Sequence, residues 1–339
     1  MFKVLTLDGG GVRGYLSAII LANLETLLNR TDGKELAIGQ RFDLIAGTST
    51  GGIIACALSV GMSAKEIVTF YETLITDIFT PVSDGIFEPK YSVEVLRTKL
   101  EQILGDATLA TVTTDLCITS VDVQNSAARF HKSGYFERNH TRLDEKLVDI
   151  ALATSAAPSY FSLVDTLHSH HLCDGGMVAN NPSLVALIDA MKLTENDLNN
   201  IALISIGTGE QPNMPYDVAR LRDAGVLEWM VDIEPNTKAA QLVENMQQKR
   251  SKVTMGMEYL MSNEKVFGSK GSPLLELLMN TQSKLADEQT RFLLQQNYVR
   301  INPKLSVPMA LDALQQLGSL KNLADIDEQQ YDALHRLLL

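Results

Sequence analysis

Over the first two thirds of the chain, short unbroken apolar runs alternate with stretches whose apolar residues recur every three or four positions. Phe2–Leu7 is one such run and predicts a strand. Leu16, Ile19, Ile20, Leu24, Leu27 and Leu28 then fall at helical spacing. Residues 42–46 predict a second buried strand, with a small-residue helix over 52–60 directly behind it. Ser63 with Glu66 gives the capping-box pattern ahead of a helix carrying Ile67, Phe70, Tyr71 and Leu74. Ser92 opens another, with Val93, Leu96, Leu100 and Ile103 on one face. Residues 116–121 and 202–206 predict further buried strands. Asn181 followed by Pro182 marks a helix start, because Asn caps and Pro suits the first turn. Strands alternating with helices predict an α/β fold: a mostly parallel sheet with helices on both faces.

Beyond residue 210 the pattern changes. Strand signals fade apart from Tyr298–Ile301, helical periodicity takes over and methionines concentrate. No repeat, low-complexity tract or long linker separates the two parts. The expected organisation is an α/β core over residues 1–210 with a helical part, 211–339, packed on it.

Composition then narrows the classes of function. The chain has 339 residues, 45% hydrophobic and 21% charged, as ordinary globular proteins do. No run approaches the roughly 18 apolar residues of a membrane span, so none is expected. The first strand leads straight into a glycine loop without the basic and apolar regions of a secretory leader, so no leader is expected either. A net charge of −12 argues against nucleic acid as a partner. It also argues against capture by anionic lipid through bulk charge, so membrane contact would have to come from apolar residues or a partner. Cys56, Cys117 and Cys173 are odd in number and lack CxxC spacing. They read as buried free thiols of a reducing compartment, which points to a cytoplasmic protein.

The sharpest chemical signal is Gly47-Thr48-Ser49-Thr50-Gly51, set between the apolar run 42–46 and the helix 52–60. A nucleophilic serine needs this strand–elbow–helix setting, and Gly47 and Gly51 relieve the sharp turn. A serine hydroxyl also needs a base. None of His131, His140, His168, His170, His171 and His335 lies in an obvious strand-end loop. His168, His170 and His171 lack a fourth ligand and read as a polar stretch, so no metal site is expected. Asp174, followed by Gly175 and Gly176, sits after a short strand-like run. Local sequence leaves it open between an acidic base and a plain Asp-Gly turn.

The third signal is Asp8-Gly9-Gly10-Gly11-Val12-Arg13-Gly14, between the first strand and the first helix. Its glycines satisfy G-x-G-x-x-G, so a dinucleotide-binding module is one reading. The acidic residue expected about twenty positions on is missing, and there is no G-K-[ST]. The other reading is an oxyanion hole, in which the N–H groups of consecutive glycines converge on developing negative charge. Arg13 then either steadies the loop or meets a lipid phosphate.

These elements in this order resemble the patatin-like phospholipase family, as do Thr154-Ser155-Ala156-Ala157-Pro158 with Tyr160-Phe161, and Gly207-Thr208-Gly209. The resemblance spans about residues 2–210. It implies a three-layer α/β/α sandwich with a helical C-terminal extension. It further implies Ser49 as nucleophile, Asp174 as base, and Gly9, Gly10 and Gly11 as an oxyanion hole supported by Arg13. The implied substrate is a phospholipid or lysophospholipid, met by peripheral membrane contact, with no cofactor required. The C-terminal third loosely resembles bacterial relatives switched on by cyclic nucleotides, so activation by a ligand or a partner protein is the second reading. Trp229 fits an interfacial anchor and a core position equally, whereas the methionines read first as core packing, with a lipid-contacting or lid surface as the alternative. Oligomeric state is not legible in the sequence.

Overall fold

A computed structural model of the chain describes residues 1–83, 88–212, 221–222, 225, 229–230 and 272–339. Among the described residues seven strands form one sheet: β1 (Phe2–Leu7), β2 (Leu44–Gly47), β3 (Asp115–Asp122), β4 (Ala127–Lys132), β5 (Leu172–Asp174), β6 (Ile201–Ile206) and β7 (Tyr298–Ile301). Their order is β4-β3-β2-β1-β6-β7, with β5 paired to β3. The run from β3 to β7 is parallel; β4 and β5 pair antiparallel with β3.

Side chains along each strand alternate between two separate cores, as a sheet covered on both faces requires. Leu5, Leu7, Ile45, Leu116 and Ile204 enter the larger core. It is shared with α1 (Gly14–Asp32), α2 (Thr50–Ser59), α3 (Ala64–Ile78), α4 (Val93–Leu104) and α5 (Leu147–Ser155). Val4, Leu44, Ala46, Cys117 and Leu203 enter the other, beneath α7 (Ser183–Leu193) and the end of α8 (Pro273–Leu294). The short α6 (Gly176–Ala179) lies between β5 and α7. The chain closes with α9 (Leu317–Leu320) and α10 (Glu328–Leu338), whose Leu334, Leu337 and Leu338 join the larger core. Each fully buried aliphatic side chain contributes about 1.5–3 kcal/mol, which makes the two cores the main source of stability. The result is a three-layer α/β/α sandwich with a mostly parallel central sheet and helices at the C-terminal end.

The Ser63 side chain accepts from the Glu66 N–H while Glu66 accepts from the Ser63 N–H, closing the capping box ahead of α3. α7 begins at Ser183, whose N–H is capped by Asn181 Oδ1. The strand expected over 42–46 is shifted to Leu44–Gly47; just before it the Asp43 N–H still donates to the Lys3 carbonyl, but the Lys3 N–H is taken by the Asp43 carboxylate instead of a backbone carbonyl. β7 extends the central sheet by pairing with β6, so the part beyond residue 210 is more than a helical layer. All three cysteines are buried and unpaired. Trp229 is half-buried and Met279 and Met309 are described, but Met214, Met246, Met255, Met257 and Met261 lie outside the described residues.

Candidate active site

The sequence turns sharply between β2 and α2, and Ser49 sits at the apex with φ 53° and ψ −126°. Few L-residues adopt this conformation, and a nucleophile elbow is where it recurs. It holds here because strand and helix approach closely. A Cβ at Gly51 would run into the carbonyl oxygens of Leu7 and Asp8, and one at Gly47 into the backbone of Gly51. The Ser49 N–H donates to Thr154 Oγ1 on α5 at 2.9 Å, which fixes the apex from outside the turn.

Sheet topology explains why Asp174 meets this serine. β2 occupies one edge of β3 only as far as Gly47, opposite Ile118. β5 takes the next stretch of β3 in the opposite direction, with Asp174 opposite Ser120, while β4 fills the other edge. β5 therefore points back at the elbow, and Ser49 Oγ donates to Asp174 Oδ2 at 2.7 Å. The other carboxylate oxygen accepts from the Gly176 N–H at 2.6 Å. The Asp174 N–H donates to the Ala156 carbonyl and the Gly175 N–H to that of Thr154. The block 154–158 thus cradles the acid turn. Burial pushes the Asp174 carboxyl up to about 6, against the lowering effect of its bonds to Ser49 and Gly176. An acid in this range is a far better proton acceptor near neutrality than an ordinary aspartate.

The glycine loop faces the same serine. Gly10 and Gly11 line the pocket around Ser49, and among the described residues their N–H groups have no hydrogen-bond partner. Gly9 departs from the expectation for an oxyanion donor: its N–H donates to the Asn180 carbonyl at 3.0 Å and is already satisfied. Gly9 serves packing instead, since a Cβ there would strike the Asn180 side chain. Gly11 has φ +57°, and a Cβ would meet the Leu311 carbonyl. Arg13 is buried and its Nε donates to the Gly10 carbonyl at 3.3 Å, so it braces the loop. Thr208 Oγ1 donates to the Gly9 carbonyl at 3.0 Å, which gives the block 207–209 its place in the site.

An apolar pocket opens from Ser49 and Asp174, enclosing about 790 Å³ with its mouth included. Ile53, Ile75, Ile78, Phe79, Leu96 and Phe161 form much of its wall. Leu275 and Met279 of α8 complete it from the C-terminal part. Sequence periodicity did not single out these two residues, which look like ordinary helix positions.

No histidine lines this pocket among the described residues. His131 makes a triad-like set elsewhere: Nε2 with Ser120 Oγ and Nδ1 with Glu145 Oε2, each at 2.9 Å. All three are buried, Ser120 on β3, His131 on β4 and Glu145 just ahead of α5. His168 pairs with Asp144 and His170 with Asp165 at the surface. Among the described residues no group of three His, Cys, Asp or Glu could hold a metal ion.

The patatin-like phospholipase family model matches residues 5–187. Patatin-like protein 1 of Arabidopsis thaliana is 34% identical over 270 residues, covering 68% of this chain and 65% of its own. The cGAMP-activated phospholipase of Escherichia coli (strain TW11681) is 35% identical over 223 residues, covering 61% of this chain and 62% of its own. Patatin of Solanum tuberosum is 32% identical over 270 residues, covering 71% of this chain and 69% of its own. The chain thus spans just under two thirds of the length of the Arabidopsis relative.

Proposed function

The chain belongs to the patatin-like phospholipase family, and from that premise we propose that it is a serine lipid acyl hydrolase acting on phospholipids or lysophospholipids. The 2.7 Å hydrogen bond from Ser49 Oγ to Asp174 Oδ2 at the head of an apolar pocket carries this reading. Asp174 takes the Ser49 proton as Oγ attacks the ester carbonyl. The carbonyl oxygen, now negative, lies against the N–H groups of Gly10 and Gly11. Collapse of the tetrahedral intermediate expels the alcohol, which takes the proton from Asp174, and leaves an acyl-serine. Water then attacks with Asp174 again as base, releasing the fatty acid and restoring Ser49. The acyl chain occupies the apolar pocket throughout.

Peripheral membrane contact fits the same reading. Leu274 and Leu278 on α8, with Met177 and Val178 on α6, are exposed beside the pocket residues Leu275 and Met279. Among the described residues no helix is long and apolar enough to cross a membrane. Buried free thiols support a reducing, cytoplasmic setting. We read the division at residue 210 as functional: residues 1–210 supply the dyad and the donors, and 211–339 complete the pocket wall and brace the loop.

A second reading keeps the hydrolase silent until a cyclic nucleotide or a partner protein arrives, and the 35% identity to a cGAMP-activated phospholipase favours it. One experiment addresses both. Fatty-acid release from mixed phospholipid vesicles is measured for wild type, Ser49→Ala and Asp174→Asn, with and without cyclic nucleotides. Release by wild type alone supports the dyad, and release only with nucleotide supports the switched form. Retention of activity in Ser49→Ala overturns the mechanism.

A further inference from the structure

We propose that Arg300, on the last strand of the sheet, is a positioning residue that holds the glycine loop through Asp8 and thereby aims the N–H groups of Gly10 and Gly11. Its consequence for catalysis rests on the hydrolase reading; the grip itself does not.

Asp8 is the first residue after β1 and is not among the residues lining the Ser49 pocket. Arg300 Nη1 donates to Asp8 Oδ1 at 2.9 Å and Nη2 to Oδ2 at 2.6 Å. Both side chains are over nine-tenths buried, with exposures of 8% and 5%. The strand register makes the contact. Thr6 pairs with Ser205 on β6, and Ser205 pairs with Arg300 on β7. Asp8 is two residues beyond Thr6, so it projects from the same face. Reaching from β7 to β1 means crossing two strand spacings, about 10 Å, which an arginine and an aspartate together span. On the way Arg300 Nη1 donates to Ser205 Oγ at 2.7 Å, and Ser205 also accepts from Ser183 Oγ at 3.0 Å. The guanidinium is therefore fixed in orientation before it meets the loop.

The next residue is fixed as well, since the Gly9 N–H is taken by Asn180. With Asp8 held by its side chain and Gly9 by its backbone, the direction of the following N–H groups is determined from behind. A buried ion pair is poor value as a stabiliser, because desolvation offsets its attraction. A two-pronged grip is specific in angle, which is what a donor pair aimed at an oxyanion requires.

The test uses the full chain with Arg300→Lys, which keeps a cation beside Asp8 but loses the fork. The control is Asp189→Asn, which breaks a comparably buried pair with Lys132, away from the loop. Hydrogen exchange of the peptide spanning residues 8–13 reads the grip, and we expect it to quicken about tenfold in Arg300→Lys and not in the control. The ratio of kcat/KM for a short-chain ester to that for its thionoester reads the donors, because N–H groups set for oxygen discriminate against sulfur. We expect that ratio to fall about tenfold in Arg300→Lys alone, a fraction of the 10²–10³ that a lost oxyanion donor costs. Unchanged exchange, an unchanged ratio, or equal changes in Asp189→Asn would each overturn the proposal. A wild type that cleaves neither ester, with or without cyclic nucleotides, and a loop loosened only in Arg300→Lys would keep the grip and count against the hydrolase reading.

Discussion

The elbow around Ser49 is assembled from near neighbours, whereas the glycine loop is held by residues as far as 292 positions along the chain. In the elbow, β2, the turn and α2 follow one another directly, and Gly47 and Gly51 pack within the turn and against β1. In the loop, Asp8 depends on Arg300, Gly9 on Asn180 and Thr208, and Val12 on the Leu311 carbonyl. On the proposed reading, the geometry of the nucleophile is then largely a local property of the chain, with Thr154 as a tie from outside the turn, and the placement of the oxyanion donors is a property of the assembled fold. Changes in the C-terminal part should then weaken transition-state stabilisation while leaving the dyad intact.

The largest expected effects lie in the dyad. Ser49→Ala should lower kcat by at least about 10⁴-fold and Asp174→Asn by about 10³- to 10⁴-fold, measured on a soluble short-chain ester. Stability should move the other way for Asp174. Its folded-state carboxyl is raised to about 6, above its unfolded value. The folded state is therefore favoured by protonation, and that advantage is lost as pH rises through about 6. At neutral pH Asp174→Asn removes a buried charge, so its Tm should equal or exceed that of wild type. A lower Tm with retained activity would remove Asp174 from the role of base.

Gly11→Ala comes next. Its φ of +57° and the Leu311 carbonyl behind it both resist a Cβ, so the loop must shift. A loss of about 10²- to 10³-fold in kcat is expected, with the Asp174-dependent pH limb unchanged. That limb is itself the third prediction. If Asp174 is the base, as proposed, it accepts the proton only when ionised, so kcat/KM should fall about tenfold per pH unit below about 6. A limb displaced in Gly11→Ala would mean that loop and dyad are electrostatically coupled, and the comparison would fail.

The same contrast explains what the sequence disclosed. The elbow was legible because a strand, a glycine-flanked serine and a helix are contiguous. Asp174 was not legible from its own surroundings, since an Asp-Gly pair also suits a turn. What makes it face Ser49 is the antiparallel entry of β5 beside the end of β2, a fact of topology. Nothing in the sequence marks β4, because Ala127–Lys132 is a half-exposed edge strand without a clean apolar alternation. In sequence Gly9 looks the same as Gly10 and Gly11, and only the fold sets it apart by pairing its N–H with Asn180. Arg300, one residue of a short apolar strand, carried no signal at all, because its partner belongs to the other end of the chain.

A matched pair of small changes tests the comparison at its finest. Thr154 Oγ1 accepts from the Ser49 N–H, the tie that reaches the elbow from α5. Thr208 Oγ1 donates to the Gly9 carbonyl, one of the ties on the loop. Both threonines are buried, and Thr→Val removes one hydroxyl from each while nearly conserving shape. Each variant leaves one backbone group unpaired, so each should lose about 1–3 kcal/mol of stability by denaturant titration. Their kinetics should differ. The elbow keeps its shape through its own glycines, so Thr154→Val should change kcat less than about threefold. Within the loop the ties run from Arg13 to the Gly10 carbonyl and leave Gly9 to outside partners, so Thr208→Val should lower kcat several-fold, toward the tenfold that about 1.4 kcal/mol of lost transition-state stabilisation represents. Equal kinetic losses at equal loss of stability would mean that the elbow, too, is held from a distance.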